Sequence, residues 1–235
     1  MGAENFTQLS SRMTEEADAL YNKIPSNEEI ESFIAKHEKT SDPELLWRLA
    51  RLSRILSSSH PDASKKKSYC LKMCDFANKG YELNPNSAGC NKYYAVAIME
   101  APTGQSEKAK RVHDVRACFK KAVEIDPQDA TALLMLGIWH FRVADLPWLL
   151  RKIVNAVHSN PPTATYQEAL EYFEKAEKVE PNFSLRNLLM LGKTHLRLKD
   201  NKLAKEYLQK AVDHQPKRPE NEEFHKEAQT LLKGL

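Results

Sequence analysis

The sequence predicts an all-α protein built as an array of packed helix pairs, and three observations predict it. Helix-favouring Ala, Leu, Glu and Lys dominate the composition, and strand signals are essentially absent. Prolines and glycines number 12 and 7 in 235 residues, too few for a turn-rich β architecture. Finally, four segments share one pattern and each closes on a proline: Asn84-Pro85, Asp126-Pro127, Glu180-Pro181 and Gln215-Pro216.

The repeated pattern has physical content. Five residues before each closing proline stands a small residue (Gly80, Ala122, Ala176 or Ala211), and eight before it stands Ala77, Phe119, Phe173 or Leu208. A small residue one turn from a large one suits a tightly packed helix pair, and the proline ends the helix because its ring cannot continue the ladder. After the prolines, Leu133-x-x-Leu136-Gly137-x-x-His140 aligns with Leu188-x-x-Leu191-Gly192-x-x-His195. Asn91-x-x-Tyr94-Ala95-x-x-Ile98 and Leu46-x-x-Leu49-Ala50 are looser copies. Glycine inside a helix costs ~1 kcal/mol relative to alanine, a cost that makes sense where a neighbouring helix approaches closely. These are tetratricopeptide-like helix-turn-helix units, with a period of about 34 residues. The closing prolines are 42, 54 and 35 residues apart. Insertions therefore fall inside two units, around residues 102–111 and 145–162.

The elements follow in order. Phe6, Leu9, Met13, Ala17 and Leu20 mark one face of a first helix. Ser26, with Glu29 three residues later, forms a capping box opening a second helix that buries Ile30, Phe33 and Ile34. Residues 1–40 are thus read as acidic N-terminal capping helices, and residues 41–235 as the repeat domain, opening at Asp42-Pro43. The inserted run Leu146-Pro147-Trp148-Leu149-Leu150-Arg151-Lys152-Ile153-Val154 is expected to be helical and to dock Trp148 and Ile153 onto the array. The competing reading is a free amphipathic membrane anchor, which would leave Trp148 and the neighbouring leucines exposed as a patch. Phe224, Ala228, Leu231 and Leu232 define a C-terminal capping helix.

Several function classes are excluded at this stage. A net charge of +3 and a pI near 8.5 do not mark a nucleic-acid binder. No apolar run reaches the ~20 residues of a membrane helix, and the first residues form no apolar signal core. The expected setting is cytosolic or nuclear, with Cys70, Cys74, Cys90 and Cys118 as reduced thiols. Phosphate-cradling glycine loops, H-E-x-x-H and G-x-S-x-G are absent, so no catalytic residue, cofactor or metal ligand is assigned. His140 and His195 occupy equivalent repeat positions and are read as interhelical packing.

Charge is segregated along the chain. Residues 1–44 hold ten acidic and four basic side chains, and residues 45–85 hold eight basic and three acidic ones. Lys65, Lys66, Lys67 and Lys72, with Arg48, Arg51 and Arg54 on the preceding helix, form the densest basic cluster. The first helix of each unit should line a concave groove showing Trp47, Arg51, Arg54, Lys92, Val96 and Met99. The groove continues through Leu134, Ile138, Phe141, Arg142, Leu189, Lys193 and Leu196. An apolar floor with five cations and no acid suits a ligand that is acidic and partly apolar.

Some stretches are more specific. Leu45-Leu46-Trp47-Arg48-Leu49-Ala50-Arg51, Leu136-Gly137-Ile138-Trp139, Leu146-Pro147-Trp148 and Pro161-Pro162-x-x-Thr165-Tyr166-x-Glu168-Ala169-Leu170-x-Tyr172-Phe173 together resemble the regulator of microtubule dynamics family. Pro181-Asn182-Phe183 and Leu191-Gly192-Lys193-Thr194 complete the set. The resemblance covers roughly residues 40–233. It implies a short soluble form of a tetratricopeptide-like protein associated with microtubules, the spindle and its poles, and with chromosome segregation. Larger relatives carry an N-terminal hydrophobic anchor and are linked to membrane tethering and lipid binding. Tubulin is the partner so implied. A phospholipid, or an acidic peptide held in the groove, is the alternative.

Overall fold

The computed structural model describes residues 6–216 and 221–235, which form thirteen helices and, among the described residues, no strand. The side chain of Phe6 lies outside the described residues. The chain divides into two compact units between Pro102 and Thr103.

The first unit holds α1 (Phe6–Asn22), α2 (Asn27–His37), α3 (Pro43–Ser59), α4 (Ala63–Leu83) and α5 (Ala88–Glu100). Side-chain caps start most of them. Ser26 and Glu29 complete the expected capping box, Asp42 accepts from the Glu44 amide with Pro43 at the first helical turn, and Asp62 and Ser87 cap α4 and α5. Each such cap is worth ~1 kcal/mol. Helix α3 is the centre of the unit, packed by α1 and α2 as well as by α4 and α5. It therefore buries Leu45, Leu46, Leu49, Leu52 and Leu56 around most of its circumference, with Ala17, Ile30, Ile34, Met73 and Phe76 supplied by its neighbours. At Gly80 an added Cβ would lie 3.3 Å from the Leu46 Cβ, so the small residue of the repeat sits where α4 meets α3.

The second unit holds α6 (Gln105–Lys110), α7 (Val112–Ile125), α8 (Ala130–Ala144), α9 (Trp148–Val157), α10 (Tyr166–Val179), α11 (Leu185–Arg197), α12 (Asn201–Asp213) and α13 (Glu222–Lys233). Helices α8 and α10 pair, as do α11 and α12, and both pairs meet at the expected glycine. A Cβ on Gly137 would lie 2.6 Å from the Phe173 ring, and one on Gly192 would lie 2.7 Å from Leu208 Cγ. One turn on, His140 packs on Tyr172 with ring centroids 5.1 Å apart, and His195 stacks on Tyr207 at 5.5 Å. The amides of Asn84, Asp126 and Glu180 each donate to the carbonyl of the small repeat residue four back (Gly80, Ala122 and Ala176) as the following proline stops the helix. Helix α13 caps the array, with Ala228 fully buried and Phe224, Leu231 and Leu232 packed against Leu188, Leu189 and Leu208.

The insertion is helical as expected, but Trp148 does not dock. It is 69% exposed, while Ile153 is half-buried and Val154 buried. Helix geometry is the reason. Val154 lies six residues on, about 240° around the axis at 100° per residue, so seating Val154 on the unit turns Trp148 outward.

Candidate functional site

In the first unit the basic residues of α3 meet acids from distant parts of the chain. Arg48 Nε donates to Asp18 Oδ2 at 2.9 Å, and Arg51 donates to Asp18 Oδ1. The Arg51 guanidinium also lies 4.0 Å from the centre of the Tyr21 ring. Arg54 holds Glu100 in a two-pronged pair at 2.8–2.9 Å. Ser10 donates to Asp42, the cap of α3, tying α1 down at its other end. Partial burial pushes the Asp18 carboxyl up, but hydrogen bonds and positive charge from Arg48 and Arg51 outweigh it and hold Asp18 below its ordinary value. The expected acid-free face thus carries Asp18 and Glu100. The acidic N-terminal segment folds onto the basic helix, so the two opposite charge blocks complement each other within one unit.

Trp47 belongs to the same layer. Its indole donates to Glu44 Oε2 at 2.7 Å, stacks on Tyr93 at 5.6 Å, and lies so flat on α5 that a Cβ on Gly89 would come within 2.4 Å of it. Lys92 is buried near the same ring, with Val96 buried and Met99 half-buried further along α5.

The lysine cluster is likewise engaged. Lys65 donates to Glu31 at 2.9 Å, Lys72 to Glu38 at 2.9 Å, and Lys79 to the Thr40 carbonyl. Lysines seven apart recur on one face of α4, and Glu31 of α2 and Glu38 just past its C-terminal end are also seven apart, so the pairs form a ladder between the two segments. Lys66 is half-exposed and Lys67 exposed, and neither has an ion-pair partner among the described residues.

The remaining candidates converge in the second unit. Ile138, Phe141, Arg142 and Lys193 line one cavity of about 440 Å³, floored by Leu189 and Met190. Sequence reasoning missed its other walls: Leu146, Pro147 and Leu150 from the insertion, and Arg186, Phe224 and Glu227 around α11 and α13. Their signal was present, since an apolar insertion and a capping helix both need a surface to rest on. Lys193 pairs with Glu227 at 2.6 Å and lies 5.9 Å from the Phe141 ring, while Arg186 sits 5.0 Å from the Phe224 ring. At the rim, Asp145 accepts from Arg197 at 2.7 and 3.1 Å and from the Tyr166 hydroxyl at 2.6 Å. The Arg197 hydrogen bonds hold the Asp145 carboxyl below its ordinary value. The arrangement is an apolar floor with Arg142, Arg186 and Lys193 above it, suited to an anionic group with an apolar attachment.

Elsewhere, burial pushes the Cys74 and Cys90 thiols up to about 11, so they are poor nucleophiles at neutral pH. Among the described residues, no three His, Cys, Asp or Glu side chains gather as a metal site, and no single helix is long and apolar enough to cross a membrane.

Comparison with known proteins bears on the family and the fold. The family model "Regulator of microtubule dynamics protein 1-3" matches residues 13–235. Regulator of microtubule dynamics protein 1 of Bos taurus is 38% identical over 224 residues, covering 94% of this chain and 70% of the relative. The Mus musculus protein of that name is 38% identical over 94% of this chain and 73% of its own length. Regulator of microtubule dynamics protein 3 of Xenopus laevis is 33% identical over 72% of this chain and 37% of its own length. Among solved structures, a thermophilic TPR protein of Thermus thermophilus superposes with a TM-score of 0.58, covering 94% of this chain and 99% of that one. At 15% identity it speaks to the tetratricopeptide fold alone.

Proposed function

We propose that this chain, which belongs to the regulator of microtubule dynamics family, is a non-catalytic microtubule-binding protein. In this reading it acts on microtubule dynamics in spindle organisation and chromosome segregation, and resides on the cytoskeleton, spindle and spindle poles. The observation that carries the reading is the family match over residues 13–235, joined to relatives named for microtubule regulation.

The contact chemistry is electrostatic, between cations of this chain and the acidic tails of tubulin. Arg48, Arg51, Arg54, Lys65 and Lys72 are held by acids of their own unit and serve the fold in this reading. The contact is assigned to Arg142 and Arg186 of the second unit because they stand at the cavity, and Lys66 and Lys67 of the first unit are a separate contribution. Co-sedimentation with intact and tail-stripped microtubules tests it. Arg142→Glu with Arg186→Glu should abolish most binding to intact polymer and weaken it no further once the tails are removed. Lys66→Glu with Lys67→Glu should weaken binding less. Binding that survives both pairs of reversals and raised salt overturns the electrostatic mechanism.

The cavity favours a second reading, an anionic amphiphile such as a phospholipid. Its buried floor of Ile138, Phe141 and Leu189 would take an acyl chain and its cations the head group. Retention of lipid after extraction from vesicles, lost in Leu189→Glu, supports that reading, and an empty protein after the same treatment rejects it.

A further inference from the structure

Helix α9 presents a tip that the fold does not use. Trp148 and Leu149, its first two residues, are 69% and 57% exposed. They stand out from the fold because the helix is seated through other residues. Val154 is buried, Leu150 reaches the cavity wall, and past the C-terminal end the His158 ring bonds the Ala109 carbonyl at 2.7 Å. Just beyond, the His113 ring bonds the Asn160 carbonyl at 2.9 Å. Trp148, Leu149 and Lys152 are not part of the cavity lining, so the tip is a feature separate from the cavity.

Along the tip's own segment the charge has one sign. No acidic side chain occurs from Leu146 to Gln167. Lys152 Nζ lies 4.7 Å from the centre of the Trp148 ring, and the Arg151 guanidinium donates to the carbonyls of Ala144, the last residue of α8, and of Leu146. Acids on flanking elements are already engaged, Asp145 by Arg197 and Glu107 of α6 by Lys110. We infer that the Trp148–Leu149 tip, with Lys152 beside it, is a docking surface for an anionic lipid bilayer. An indole with an apolar neighbour and a cation at its edge matches the layered chemistry of a head-group region, which takes the ring at its boundary and the ammonium among phosphates. Two side chains offer far less than the ~800 Å² per partner of a stable protein interface, but shallow membrane contact needs no such area.

Vesicle flotation tests this with the whole chain. Vesicles of phosphatidylcholine with phosphatidylserine should carry the protein at low salt, and pure phosphatidylcholine vesicles should not. Trp148→Ala with Leu149→Ala should lower the partition about tenfold, and Lys152→Glu about fivefold. Phosphatidylserine with brominated chains should quench tryptophan fluorescence in the wild type but not in Trp148→Phe, since Trp139 is buried and Trp47 is packed against Tyr93. Arg142→Glu with Arg186→Glu separates the two sites, because it should impair any uptake into the cavity and leave Trp148 quenching intact. No partition onto the anionic vesicles, or partition unchanged by Trp148→Ala with Leu149→Ala, overturns the inference. So does concentration-dependent self-association that the same variant abolishes, which would make the tip a contact between copies.

Discussion

Gly137→Ala isolates the packing that defines the repeat. The new Cβ would sit 2.6 and 2.7 Å from two carbons of the Phe173 ring. Carbon pairs rest at about 3.5–4.0 Å, so the ring must retreat by about 1 Å. Phe173 is fully buried, so the ring can retreat only against its packed neighbours. Overpacking of this kind costs about 1–3 kcal/mol, and a contact this short on a fully buried ring belongs at the upper end. Alanine returns ~1 kcal/mol through its higher helix propensity. The net expectation is a loss of about 2 kcal/mol, read as a fall in Tm of roughly 4–8 °C for a chain of this size. Circular dichroism melting and urea unfolding measure it. Gly104→Ala is the control, since a Cβ there meets nothing within 4 Å and should change stability by less than about 0.5 kcal/mol. Trimming the ring with Phe173→Leu should couple favourably to Gly137→Ala in a double-mutant cycle. A Gly137→Ala protein that melts at or above the wild-type temperature would refute the close approach of α8 and α10.

Three further outcomes follow from the electrostatics and burial. Asp18→Asn removes the carboxylate shared by Arg48 and Arg51 and should speed amide hydrogen exchange across α1 while leaving α8 protected; unchanged exchange in α1 would show that apolar packing alone holds it. Glu31 is lowered by the Lys65 hydrogen bond, Asp145 by Arg197, and Asp18 by its two arginines after burial opposes them. Their stabilisation is complete above the ordinary carboxylate range and is lost as pH falls through the lowered folded values, so Tm should drop steeply below about pH 4, and Asp18→Asn should soften that acid limb. With its thiol buried and pushed up to about 11, Cys90 should resist iodoacetamide in the native protein at pH 8 and react on unfolding, as followed by mass spectrometry.

Those features divide by the kind of sequence signal that carried them. Gly137 against Phe173 and His140 against Tyr172 were legible because each pair lies within one unit and recurs, as Gly192 with Leu208 and His195 with Tyr207. Periodicity reports contacts that repeat. The Asp18 pairs and the Lys65–Glu31 and Lys72–Glu38 ladder join segments about thirty residues apart once only, so no repeat announces them. Opposite charge blocks in sequence were their sole trace, and that trace reads equally as a surface for an acidic partner.

The insertion shows how one repeat position changes its use. Aligning Gly137 with Gly192 places Asp145 opposite Asp200 and Arg142 opposite Arg197. In the last unit Asp200 does the ordinary work of this position, accepting from the Leu203 amide at 3.0 Å to start α12. In the unit before it, the inserted α9 separates Asp145 from the helix it would have capped, and Thr165 takes over with its own capping box. Asp145, released from capping, pairs with Arg197 and Tyr166 and closes one side of the cavity rim. Arg142, the counterpart of Arg197, then stands on the cavity with the insertion's Leu146, Pro147 and Leu150 as its wall. The cavity thus exists because the insertion broke a cap, which is why neither the regular repeat pattern nor the apolar run of α9 disclosed it alone.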